Sequence, residues 1–146
     1  MREFLDWRQR RKELKGILRL LDLETYRHRK QLNAYKNTPT WITDAPVDTL
    51  RFSAWDKSNT RLSQLLRDDT EFADIAKYYE NLRAVDEFRR SSEDTESWRQ
   101  ERVGLLLPTL FELHDLTRRH IKRNVPEASL GTPLDTLQNK NKDLPG

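Results

Sequence analysis

Residues 4–35 read FLDWRQRRKELKGILRLLDLETYRHRKQLNAY, and their spacing decides the fold. Taken at alternating steps of three and four, they give Phe4, Trp7, Arg11, Leu14, Leu18, Leu21, Thr25, His28, Leu32 and Tyr35. That is a mostly apolar stripe along one side of a helix. Ile17, Leu20 and Leu23 are expected to widen the stripe in its middle, as packing on two neighbours requires. No proline interrupts the run, and Gly16 alone costs about 1 kcal/mol relative to alanine. A helix of roughly 33 residues spans about 50 Å, more than the width of a small domain, so its first turns are expected to project beyond the core.

Outward from this helix, Asn37, Thr38 and Pro39 stop it near Lys36 and open a connection to Arg51. Trp41 and Ile42 within that connection are expected to be pinned to the rest of the fold. Ser53-Ala54-Trp55-Asp56 has the form of an N-cap with a carboxylate three residues on, so a second helix is predicted over 54–67. Asp68, Asp69 and Thr70 end it and cap a third, whose stripe is Phe72, Ile75, Tyr79 and Leu82. After a polar turn at 91–95, a fourth helix over 96–123 carries Trp98, Val103, Leu106, Leu110, Leu113, Thr117 and Ile121. A kink is expected at Pro108, whose ring meets the carbonyl of Gly104.

The pattern predicts an all-α, mostly antiparallel four-helix bundle over 1–124, with the long first helix protruding. Its core is expected to join Leu14, Leu18 and Leu21 to Trp55, Phe72, Ile75, Tyr79, Leu82, Leu106, Leu110 and Leu113. Residues 125–146 shift to Pro, Gly, Thr, Asn and Lys and are expected to form an irregular tail, with one helical turn near 133–138.

Hydrophobic and charged residues each make up 35% of the 146, and mean hydropathy is -0.95. The apolar residues keep helical spacings, so a small core inside charged helices fits and disorder does not. The absence of cysteine excludes disulfides, thiolate nucleophiles and zinc–thiolate sites. Met1 is followed by charge, and the longest aliphatic run, Leu105–Leu107, is far short of the roughly 20 residues that span a bilayer. A soluble, cytoplasmic chain is expected. The net charge of +3 conceals a division: 11 Lys and Arg against 5 Asp and Glu up to Lys36, 8 against 13 from Asn37 to Glu96, and 8 against 6 beyond. Basic ends flanking an acidic middle fit internal pairing.

Catalytic patterns are missing. Glu24 and His28 are four apart, but a di-iron bundle needs further carboxylates and two Glu-x-x-His motifs, so His28 reads as a satisfied core histidine. His114 and His120 are six apart and face different ways. His114-Asp115 resembles the doublet of helical metal-dependent phosphohydrolases, yet Leu113 and Leu116 beside it make both look like helix-surface positions. Asp68, Asp69, Glu71 and Asp74 lack the alternation and mid-loop glycine of a calcium loop. No catalytic, cofactor-binding or metal residue is assigned, and neither a cofactor nor a small-molecule ligand is expected.

Two features remain. Trp7, Arg8, Arg10, Arg11, Lys12 and Lys15 form a basic patch beside an indole, which suits an anionic membrane surface or nucleic-acid phosphates. Arg118, Arg119, Lys122 and Arg123 form a second basic patch. Phe4, Trp7 and Leu14 on the protruding segment invite self-association in coiled-coil fashion.

The run Trp7-Arg8-Gln9-Arg10-Arg11-Lys12-Glu13-Leu14, with Leu18, Leu21 and Glu24 beyond it, resembles a loose group of uncharacterised bacterial proteins. So do Ser53-Ala54-Trp55-Asp56, the stretch 72–82 containing Tyr78-Tyr79, and Leu105-Leu106-Leu107-Pro108. Members of that group carry a short N-terminal transmembrane helix, an Arg-rich amphipathic helix and a small cytoplasmic helical domain. This chain departs from them in carrying no membrane helix, as a shortened or a soluble relative would. The resemblance implies an anchored interaction domain and transfers no catalytic residues. The expected function is a non-enzymatic interaction or scaffold domain at the cytoplasmic face of the membrane. Alternatives are a nucleic-acid-binding accessory protein, a subunit of a larger assembly and half of a toxin–antitoxin pair. A protein partner or a homo-oligomer is expected with any of them.

Overall fold

Four helices follow one another: α1 (Arg2–Asn37), α2 (Ser53–Leu65), α3 (Asp69–Arg90) and α4 (Glu96–Asn124). The computed structural model describes residues 2–37, 50–91 and 93–126. Trp41, Ile42 and the turn expected near 133–138 lie outside the described residues.

Periodicity alone carries α1, an unbroken helix of 36 residues and about 54 Å. Gly16 does not interrupt it, because it sits on the exposed side where a Cβ would meet nothing within 4 Å. The second helix starts differently from its sequence signal. Phe52 is its N-cap residue and makes no side-chain cap bond, so the Ser53–Asp56 box is not formed. Instead the Ala54 N–H donates to Glu24 Oε2 at 2.9 Å, and a carboxylate from α1 caps α2. This helix stops at Leu65 rather than Arg67, because Leu66 turns extended and buries itself. Asp68 caps α3 by accepting from the Thr70 N–H at 2.8 Å, and Thr95 caps α4 by accepting from the Trp98 N–H at 3.2 Å. The fourth helix continues through Pro108, which is exposed.

Each helix packs on its two neighbours in a closed ring, α1 on α2 and α4, α3 on α4 and α2. Cross-contacts give the directions. Glu13 meets Arg61 while Glu24 meets Ala54; Asp22 meets Arg118 while Arg29 meets Asp115; Glu71 meets Arg123 while Arg99 reaches the Arg89 carbonyl. All three pairings are antiparallel, and the fold is an antiparallel four-helix bundle.

Leu18, Leu21, Leu32, Leu62, Ile75, Tyr78, Tyr79, Leu82, Leu110 and Ile121 are fully buried. Trp55 stacks on Tyr79 at 4.7 Å between ring centroids and roofs the α2–α3 contact. Leu20 and Leu23 do not widen the seam; at 53% and 40% exposure they lie on the solvent side. On α4 it is Leu107 that is buried, with Leu106 half-buried and Leu105 exposed. Val125 is fully buried and donates its N–H to the Ile121 carbonyl at 2.8 Å, so the core reaches one residue into the segment expected as tail.

Candidate functional site: the basic overhang of the first helix

One short part of α1 fixes how the whole helix is turned. Between residues 22 and 29 it sends polar groups to every other helix. Asp22 accepts from Arg118 Nη1 at 3.1 Å, and both side chains are buried. Glu24 accepts from the Tyr79 hydroxyl at 2.7 Å with the oxygen that does not cap α2. His28 donates from Nε2 to the Arg51 carbonyl at 2.6 Å, which leaves Nδ1 to accept from the Tyr78 hydroxyl at 2.9 Å. Burial pushes the His28 pKa down to about 4 against the opposing hydrogen bond to Arg51, so the ring is neutral in this setting. His114 is fully buried rather than at the surface, and its Nε2 donates to the Thr25 carbonyl at 2.9 Å. Arg29 reaches Asp115 at 3.3 Å and lies 4.6 Å from the Phe111 ring centre.

These bonds do structural work. A buried polar group left unpaired costs about 1–3 kcal/mol, so a rotation or slide of α1 that breaks several of them is strongly opposed. Glu24 and His28 do not converge on one ligand; they are turned to α2, α3 and Arg51. Among the described residues no group of three or more His, Cys, Asp or Glu side chains could hold a metal ion.

With its middle held, the first turns of α1 run past the ends of the other helices. Asp6 to Lys12 are exposed, and Trp7 retains 45% exposure. Two ties to the bundle lie at the base of this overhang. Glu13 takes a two-pronged bond from Arg61 at 2.6 and 2.8 Å, which holds its carboxyl below the usual carboxylate range. Arg10 donates to the Gln64 carbonyl at 3.0 Å, one of the open carbonyls at the end of α2.

The six residues of the first basic patch therefore separate by direction. Trp7, Arg10 and Arg11 face a groove of about 770 Å³ between the overhang and the bundle end, with the Arg11 guanidinium 5.8 Å from the Trp7 ring. Arg8 and Lys12 are exposed and Lys15 is half-buried, and the exposed Arg19 extends their row at steps of four, three and four. Arg19 escaped the sequence reading, although the same spacing rule that found the apolar stripe would have found it. Leu14 is half-buried and lines the groove. Phe4 belongs to the helical overhang.

The second basic patch loses a member. Arg118 is buried against Asp22, because Asp22 faces α4 and an unpaired buried carboxylate would be costly. Arg123 is exposed but reaches Glu71 at 3.2 Å, and Asn124 reaches the other oxygen of the same carboxylate at 2.9 Å. His120 donates from Nε2 to Asp74 at 2.8 Å. Arg119 and Lys122 are exposed. Since α4 runs antiparallel to α1, its basic end and the overhang are at the same end of the bundle.

None of the known protein families, curated proteins or solved structures compared with this chain matches it. No described helix is long and apolar enough to cross a membrane.

Proposed function

We propose that this chain is a non-enzymatic helical interaction domain that docks through its first helix on an anionic surface, the inner face of the membrane foremost. One observation supports the reading: the row Arg8, Lys12, Lys15 and Arg19, three of the four exposed, runs along the first half of α1 a part-turn from an exposed tryptophan. Each cation near an anionic bilayer contributes about 1 kcal/mol, so four give about 4 kcal/mol, a dissociation constant of about 1 mM. Docking of that strength is reversible, weakens with salt, and persists only with a second contact.

Vesicle flotation tests it. Retention by anionic vesicles, absence from neutral ones, and loss of retention in the Arg8→Glu/Lys12→Glu variant at unchanged helicity are expected. No retention by anionic vesicles at low salt retires the reading. A nucleic-acid backbone is the second reading, favoured by Arg119 and Lys122 lying at the same end of the bundle as the basic row of α1. It requires gel retardation of a duplex whose salt slope falls in the Arg119→Glu/Lys122→Glu variant.

A further inference from the structure

The face of α1 turned away from the core has a composition of its own. Leu14, Leu18, Leu21, Thr25, His28 and Leu32 form the inward seam. Two positions after each stand Gly16, Leu20, Leu23, Arg27, Lys30 and Ala34, about 200° further round the helix. All six are exposed, and they form one ridge along about 27 Å of α1. Leu20 and Leu23 at its centre keep 53% and 40% of their surface in solvent, apolar area whose burial is favourable. Charge on this face is of one sign. Beyond Asp6, α1 has three carboxylates, and each is taken up elsewhere: Glu13 by Arg61, Asp22 by Arg118, and Glu24 by Tyr79 and the start of α2. The exposed side chains of α1 from residue 7 onward include Lys12, Arg19, Arg27 and Lys30 and no carboxylate. Lys30 lies 4.8 Å from the centre of the half-buried Tyr26 ring, so an aromatic side chain also borders the ridge.

Three kinds of surface could meet such a ridge, and its pattern separates them. A partner helix, a second copy included, needs an apolar seam sustained over about three heptads; here Arg27 and Lys30 end it after two leucines. A nucleic-acid backbone would neutralise the cations but offers the leucines nothing apolar. An anionic bilayer interface takes both, since leucine enters between the headgroups while Arg and Lys lay their stems there and keep their charge at the phosphates. We propose that α1 lies lengthwise on an anionic lipid bilayer, with Leu20 and Leu23 sunk into the headgroup layer and Lys12, Arg27 and Lys30 on lipid phosphates. The inference rests on the surface reading above; it adds that the surface is lipid and that leucine, together with charge, holds the helix to it.

The test uses the full chain with vesicles of phosphatidylglycerol and phosphatidylcholine. Leu20→Ala/Leu23→Ala is expected to weaken retention about tenfold, by a factor that persists when salt is raised. Arg27→Glu/Lys30→Glu is expected to weaken it at low salt, with the difference fading at high salt. Helicity and the urea midpoint should stay unchanged in both variants, because all four side chains are exposed. The chain has no cysteine, so a nitroxide attached through Leu23→Cys is unique. It should gain oxygen accessibility on vesicle binding, whereas one attached through Glu80→Cys, exposed on α3 across the ring from α1, should not. Retention of the native chain with Leu20→Ala/Leu23→Ala unaffected, or a label at position 23 that stays in water, overturns this proposal while the surface reading stands. No retention of the native chain at low salt retires both. Duplex retardation without vesicle retention gives the face to nucleic acid, and a dimeric mass that Leu20→Ala/Leu23→Ala abolishes gives it to a second copy; either result overturns the proposal.

Discussion

Lowering the pH should weaken this fold through His28, and the size of the effect follows from its surroundings. In the unfolded chain the imidazole titrates near 6.5; in the bundle burial pushes it down to about 4. Over that interval the unfolded chain binds a proton that the native chain refuses. The folded value is the lower one, so the contribution is fully present above about pH 6.5 and is lost as the pH falls toward 4. The slope approaches 1.4 kcal/mol per pH unit, and about 3 kcal/mol is gone at the bottom of the window. That is a large share of the roughly 5–15 kcal/mol that stabilises a small domain. Carboxylates add an acid slope of their own, so a comparison isolates the ring. Glutamine at position 28 can donate to the Arg51 carbonyl and accept from Tyr78 without titrating. Urea unfolding followed by helical circular dichroism between about pH 7 and pH 4.5 should give a steeper decline for the native chain than for His28→Gln. Parallel declines, or a ring titration near 6.5 by NMR in the folded protein, would show that the His28 environment has been misread.

Three further outcomes can be checked by the same denaturation assay. Glu24→Ala removes the α2 cap and strands the Tyr79 hydroxyl, and should cost about 2–4 kcal/mol, while Tyr79→Phe costs about 1; a loss below about 0.5 for Glu24→Ala would show that Glu24 does not hold α2 and α3 to α1. Gly16→Ala should gain about 0.5–1 kcal/mol, since the added Cβ meets nothing; destabilisation would mean that the overhang bends at that point. Leu18→Ala should cost about 2–5 kcal/mol and Leu20→Ala less than about 0.5, and comparable values would place α1 in a different rotation.

The apolar spacing of α1 is a local property of the chain, and so is the cap at Asp68. Both kinds of signal therefore appear intact in the structure. The α2 cap failed as a local signal because a better acceptor, Glu24, arrives from a helix 30 residues earlier. Leu20 and Leu23 were misjudged because hydrophobicity marks what can be buried and not which side of a helix has neighbours. The second basic patch was misjudged for a related reason, since a charged residue looks the same in a sequence whether or not an opposite charge waits across the core.

By itself, then, the chain determined that it is helical throughout its apolar segments, how long the first helix is, and that this helix outruns its core. Those properties follow from the 3.6-residue repeat, which acts within a few residues. Only the tertiary structure decided which cations point outward. Asp22 and Arg118 are separated by 96 positions and meet because α1 and α4 pack antiparallel. Burying that pair withdraws Arg118 from the surface, while Arg8, Lys12 and Arg19 stay exposed on α1.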